Sequence, residues 1–327
     1  MSRIFSLRSS VCLWVILPVL VTGCAGREIL FNAPPATELT SVPFYPQTQY
    51  QCGPAALATV LGWSGARVDM PTLVSRIYLP RRQGSLQPEM LAAARRAGRI
   101  PHVIHAGPAA LAAELAAGHP VLVLQNLGLE SLPRWHYAVV VGYSPRDDVF
   151  ILRSGDEKSR RESVQRFMSS WQRGDYWGMV VLPPGQIPAS QPFAAPVARA
   201  IADAEAFLTA DSAIAAWQEL LLRWPDDADV LFGAANALRR GGENDSAEDI
   251  YVRLLRQDPD HAAGRNNLAD LLLQNGCLDR ASALVRDVQV DNLAPPLAAA
   301  VSETREEVEI RLRRRLQEDA ARCELSR

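Results

Sequence analysis

The chain has 327 residues, long for one compact domain, so two domains are the natural expectation. Hydrophobic residues make up 48% and charged residues 21%, the composition of a folded protein and not of a disordered one. With 34 basic against 36 acidic side chains the formal net charge is -2, so no basic excess points to nucleic acid as a partner.

Arg3 and Arg8 precede an apolar run from Val11 to Val21. It is too short to span a bilayer, which takes roughly 20 residues, and reads as a signal-peptide core. Val21-Thr22-Gly23-Cys24 closes it with small residues and resembles the bacterial lipobox. That resemblance implies removal of residues 1–23, a lipid on Cys24 and a tether over residues 24–40. Ala25 and Gly26 follow where an aspartate would favour the inner membrane. The expected location is therefore the cell envelope, on the outer membrane facing the periplasm. The chain would be held to the membrane by the lipid anchor only.

Residues 41–183 mix helices and strands. A helix is predicted from Cys52, with Pro54 in its first turn and Leu57, Val60 and Leu61 on a buried face. A second runs from Gln87 to Gly98, with Gly98 as C-cap, and a third from Pro108 to Ala117. Strands follow at Val121–Gln125, His136–Tyr143, Val149–Leu152 and Trp177–Leu182, with Ser144 to Asp148 as a hairpin turn. Helices first and an antiparallel sheet after them define an α+β domain. Residues 184–196 are rich in proline and lack periodicity, which predicts a linker.

From 197 to 327 the pattern is helical and repeats. Pro225 and Pro259 stand 34 residues apart, each followed by a helix (Ala228–Arg240, Ala262–Asn275), a glycine turn and a second helix. The period and the Asp-Pro-Asp start resemble the tetratricopeptide repeat, with a charged cap helix from Ala298 to Cys323. Such an array offers a grooved surface to a protein partner.

Of five cysteines, processing removes Cys12 and lipid consumes Cys24. Three remain, an odd number in an oxidising compartment, and Cys277 with Cys323 is the candidate disulfide. Cys52 stands at a helix start, where unsatisfied N–H groups and the dipole favour thiolate, and Gly53 leaves space for a substrate backbone. Its natural base is His136, at the head of His136-Tyr137-Ala138-Val139-Val140-Val141-Gly142-Tyr143. His102 and His105 fall on opposite strand faces, His119 has no acid nearby, and His261 belongs to the repeats. No short Cys/His spacing suits zinc, so no metal or cofactor is assigned.

These segments resemble the bacteriocin-processing cysteine peptidases, peptidase family 39 of the papain-like group, in the exported branch that carries tetratricopeptide repeats. The resemblance spans Val42 to Leu182 and rests on the glutamine before Cys52-Gly53, the Leu86-Gln87-Pro88-Glu89-Met90-Leu91 helix and the histidine strand. It implies a cysteine peptidase with Cys52 as nucleophile, His136 as base and Gln47 as oxyanion donor, acting on a peptide or protein substrate. Gln49 and Gln51 stay open as alternatives to Gln47. The family's usual aspartate is missing; its place falls at Ser154. Cross-strand pairing favours Asp156 as the group orienting His136, with Ser154 and Asn126 as alternatives. Loss of that aspartate leaves a second reading, an inactive peptidase-like lipoprotein that binds proteins or peptides.

Overall fold

The computed structural model describes residues 38–47, 51–104 and 107–325, with side chains to residue 318. The signal sequence, Cys24, Gln49 and His105 lie outside the described residues.

Helix α1 (Cys52–Trp63) is buried continuously from Gly53 to Leu61, and Pro54 sits in its first turn, where a missing N–H costs nothing. Helix α2 (Met70–Ile77) is capped by Asp69, whose carboxylate accepts from the Thr72 amide at 3.2 Å. Helix α3 (Gln87–Arg96) ends as read, at Gly98 with φ +68°. These three pack on one face of a six-stranded sheet, through Leu57, Ile77 and Met90 against Leu122, Val139 and Met179. Helices α4 (Gly107–Ala116) and α5 (Val164–Gln172) cover the other face, through Leu111, Phe167 and Trp171 against Val123, Val140 and Leu152. The strands are β1 (Ile100–Ile104), β2 (Val121–Asn126), β3 (Trp135–Ser144), β4 (Val149–Ser154), β5 (Glu157–Ser163) and β6 (Gly178–Leu182). They run in the order β1-β6-β2-β3-β4-β5, antiparallel throughout.

The α+β domain and its helix-then-sheet order stand as read from the sequence, α2, α5 and β5 are additions, and β1 extends the short strand expected at His102 to His105. These two strands, β1 and β5, are the sheet edges. Pro101 in β1 and the Glu157-Lys158-Ser159-Arg160-Arg161 run of β5 protect those edges and erase the apolar alternation that marks inner strands.

Residues 184–196 are not a free linker. The Glu114 carboxylate on α4 is fully buried and accepts from the amides of Ser190 at 2.8 Å and Ala189 at 3.2 Å. The same carboxylate meets His119 Nδ1 at 2.7 Å, so His119 does have an acid beside it. Helix α6 (Ala194–Ala204) starts inside the expected linker and packs Val197 and Ile201 in one cluster with Ile100 of β1. Arg95 of α3 pairs with Asp203 at 2.9 Å across the same junction. The proline-rich composition signalled a bend, not freedom.

Beyond it, helices α7 (Ala210–Arg223), α8 (Ala228–Arg240), α9 (Asn244–Gln257), α10 (Ala262–Gln274) and α11 (Leu278–Val285) alternate with short turns, and α12 (Pro295–Leu325) closes the array. Asp227 and His261 cap α8 and α10 by accepting from Val230 and Gly264 amides. Gly233 sits inside α8 despite a propensity cost of about 1 kcal/mol. A β-carbon there would stand 2.2 Å from the Trp217 ring. Cys277 is a free thiol, and the side chain of Cys323 lies outside the described residues. Arg315 of α12 pairs with Asp279 at 2.8 Å, and Cys323 lies eight residues further along that helix, about 12 Å away from this crossing.

Glu114 generates a stability prediction. Burial raises its pKa, but the bond to His119 and the Ser190 amide outweigh this, so the folded value lies below the ordinary one. Stability from a lowered carboxylate is complete above the unfolded value of about 4.3 and is lost as pH falls through the folded one. Glu114→Gln should cost about 2–4 kcal/mol at neutral pH in urea denaturation, and the deficit should shrink in acid. An unchanged midpoint would mean the strap carries no load.

Candidate active site

Cys52 is the first residue of α1, and the amides of Tyr137, Gly53 and Cys52 itself approach its sulfur. Burial nevertheless dominates and pushes the thiol above its ordinary value. The sequence predicted an acidic thiol from the helix start alone. The neighbouring apolar surface, Leu57 and Tyr137 among it, reverses that expectation. Gly53 does not leave room for a substrate, because a β-carbon there would stand 2.5 Å from Ser85 Oγ. Ser85 fills the space, and its own hydroxyl is buried without a partner.

His136 is the second residue of β3, beside Tyr137, which faces α1. Its Nε2 meets Ser154 Oγ at 2.8 Å, which leaves Nδ1 for another partner. Burial, with Arg160 nearby, lowers its pKa to about 4, so the ring is neutral at neutral pH. Among the described residues no hydrogen bond joins Cys52 to His136. They are linked through neighbours: Cys52 lies against the Tyr137 amide, the next residue after His136, and shares a pocket with Ser154.

Ser154, not Asp156, is the group on the imidazole. The register explains why. Ser144 faces Val149, one residue off the expected turn, and a bulge at Val141 then restores Val139 opposite Arg153. The β3–β4 pairing ends at Val139 and Arg153, and β4 turns back at Gly155-Asp156 into β5, with Ser154 facing Glu157. Asp156 is at the hairpin tip, exposed. Ser154 lies diagonally from His136 and 7% exposed. Asn126 is otherwise occupied: its Oδ1 accepts from the Gly128 and Arg134 amides, both at 2.9 Å.

Gln47 lines the same pocket as Cys52, Tyr137 and Ser154. Its amide donates to Gly155 O at 3.1 Å, and its side-chain nitrogen stands beside Gly155. Gln51 is the residue capping α1 and makes no side-chain cap bond. On the other side of Cys52 a cleft of about 660 Å³ opens between the Arg82–Gln87 segment and the Pro133–Trp135 turn. Sequence reasoning missed Ser85 and Tyr137. The Tyr137 hydroxyl donates to Ser85 O at 3.3 Å, and its ring packs edge-on against Trp177. Only an aromatic immediately after the histidine signalled it.

No group of three or more His, Cys, Asp or Glu side chains among the described residues is arranged to hold a metal.

Comparison with known proteins agrees with this architecture. Residues 39–176 match the model of the Peptidase_C39 like family, and residues 209–253 and 233–292 match the tetratricopeptide repeat. The chain therefore joins a C39-like peptidase domain to a helical tetratricopeptide region. Similar solved structures include the peptidase domain of ComA from Streptococcus, at 23% identity and TM-score 0.36, covering 43% of this chain and 98% of that one. A C39-like peptidase from Bacillus anthracis follows at 16% identity and TM-score 0.38, covering 44% and 96%. The type III secretion chaperone SycD of Yersinia enterocolitica resembles the repeats, at 19% identity and TM-score 0.34, covering 36% and 83%. No curated protein matches.

The neutral pair makes two outcomes testable. Alkylation of Cys52 by iodoacetamide should climb through the alkaline range of a raised thiol, with no reactive plateau at pH 5–6. Ser154→Asp supplies the missing carboxylate and should raise the His136 pKa from about 4 by one unit or more, read by NMR titration of the ring.

Proposed function

We propose that the chain is a cysteine peptidase, or a related acyl-transfer enzyme, that cleaves a peptide or protein in the cell envelope while lipid on Cys24 tethers it to the membrane. The C39-like fold supports a peptidase-type activity. The observation that carries the reading is the convergence of Cys52, Gln47 and Ser154 on one pocket, with Ser154 bonded to His136.

In this reading His136 Nδ1, the nitrogen not bonded to Ser154, takes the Cys52 proton as the sulfur attacks the scissile carbonyl. The Gln47 amide and the Cys52 backbone N–H receive the developing oxyanion. The imidazolium returns the proton to the leaving amine, and water releases the acyl group from the sulfur. Because thiol and imidazole both rest neutral, charge separates only during attack. A substrate that closes the pocket would bring sulfur and ring together, since catalytic hydrogen bonds often tighten only in the complex. No cofactor is needed. The repeat domain contributes a groove of about 390 Å³ lined by Ala198, Trp217, Phe232 and Asn236, suited to a protein partner.

The test is cleavage of an envelope-protein digest by the processed chain, read as new N-termini by mass spectrometry. Cys52→Ala should abolish cleavage, and Gln47→Ala should lower kcat by about 10²–10³. Retained cleavage by Cys52→Ala would reject the assignment. If wild type cleaves nothing, the inactive binding lipoprotein replaces it. For the anchor, a clickable fatty acid should label wild type and not Cys24→Ser. Unlabelled wild-type protein in the soluble periplasmic fraction would refute it.

A further inference from the structure

The cleft beside Cys52 carries positive charge on both walls. One wall is an arch closed by the Leu79–Gly84 bridge, where the Leu79 amide donates to Gly84 O at 2.8 Å. Gln83 within it takes a left-handed φ of +48°, so the turn is fixed and Arg82 is held at the cleft. The opposite wall is the turn after β2. Asn126 Oδ1 receives the Arg134 amide, and Arg134 O receives the Leu127 amide at 2.9 Å. Arg134 is therefore displayed from a pinned backbone, with Trp135 next to it, 55% exposed.

Among the described residues neither arginine makes an ion pair, although Glu130 belongs to the same turn as Arg134. Arg82 and Arg134, neither of them ion-paired, line one cleft together with Cys52, and a carboxylate bound there would give the guanidinium groups a partner. Ser85 also lines this cleft, with its hydroxyl buried and without an internal partner.

We propose that Arg82 and Arg134 are specificity-determining residues: the cleft takes a substrate carboxylate close to the scissile bond, beside an apolar residue packed on Trp135. This rests on the peptidase reading and names its substrate class. The carboxylate can be an Asp or Glu side chain or the C-terminus of the substrate itself. Both sources offer the same chemistry, and the test separates them.

The experiment uses the processed chain and quenched fluorescent peptides in matched sets: Glu against Gln at each position, and a free against an amidated C-terminus. Wild type should prefer one acidic set at least tenfold in kcat/KM, with the preference shrinking as salt rises. Side-chain recognition predicts that Glu matters and amidation does not; end recognition predicts the reverse. Arg82→Glu with Arg134→Glu should abolish or invert the preference, and Arg82→Lys with Arg134→Lys should restore part of it. Iodoacetamide labelling of Cys52 should stay at the wild-type rate in all variants, showing an intact nucleophile. Cleavage that is indifferent to acid, or a preference untouched by the double Glu variant, overturns the carboxylate site while leaving the peptidase reading standing. If no peptide is cleaved, the peptidase reading falls separately. Fluorescence anisotropy of the same peptides, unquenched, on Cys52→Ala then decides the site, and equal affinity for acid and amide forms overturns it.

Discussion

The peptide link between His136 and Tyr137 is the constraint on which the site depends. Strand alternation sends the Tyr137 ring to the α1 face, while His136 and Ser154 belong to the alternate set of positions. The Tyr137 amide approaches the Cys52 sulfur, and the imidazole one residue back is held by Ser154. Cys52 and His136 are thus linked through neighbouring residues of one strand without a hydrogen bond between them. Their burial follows from the same packing, and it holds both groups uncharged.

A hydroxyl in place of a carboxylate is consistent with that state. A carboxylate on Nε2 would stabilise a charged ring, whereas serine fixes orientation and leaves the charge to be generated. The approach of Arg160 disfavours the imidazolium further.

Much of this was legible in the sequence, and the failures have physical causes. Inner strands showed themselves because both faces are buried, as in Val121–Asn126. The edge strands were hidden by Pro101 and by the charges of Glu157–Ser163. The register at Val139 matches the sequence reading although the turn was one residue out, because the Val141 bulge, which no local residue type announces, compensates. Asp156 failed because pairing arithmetic cannot say where a strand stops, and Gly155 begins the turn. The thiol failed because a helix dipole is visible in sequence and desolvation by distant residues is not. Prolines at 183–196 read as a hinge, since Glu114, the group that holds them, lies some seventy residues earlier.

Ile100 belongs by sequence to the peptidase domain and by packing to the repeats. The two parts therefore share one core, and the repeat groove beside Trp217 keeps a fixed bearing on the Cys52 cleft. Under the proposed function, a polypeptide engaged at both places would have to bridge a constant span, so the length between its two contact segments would matter as much as their chemistry.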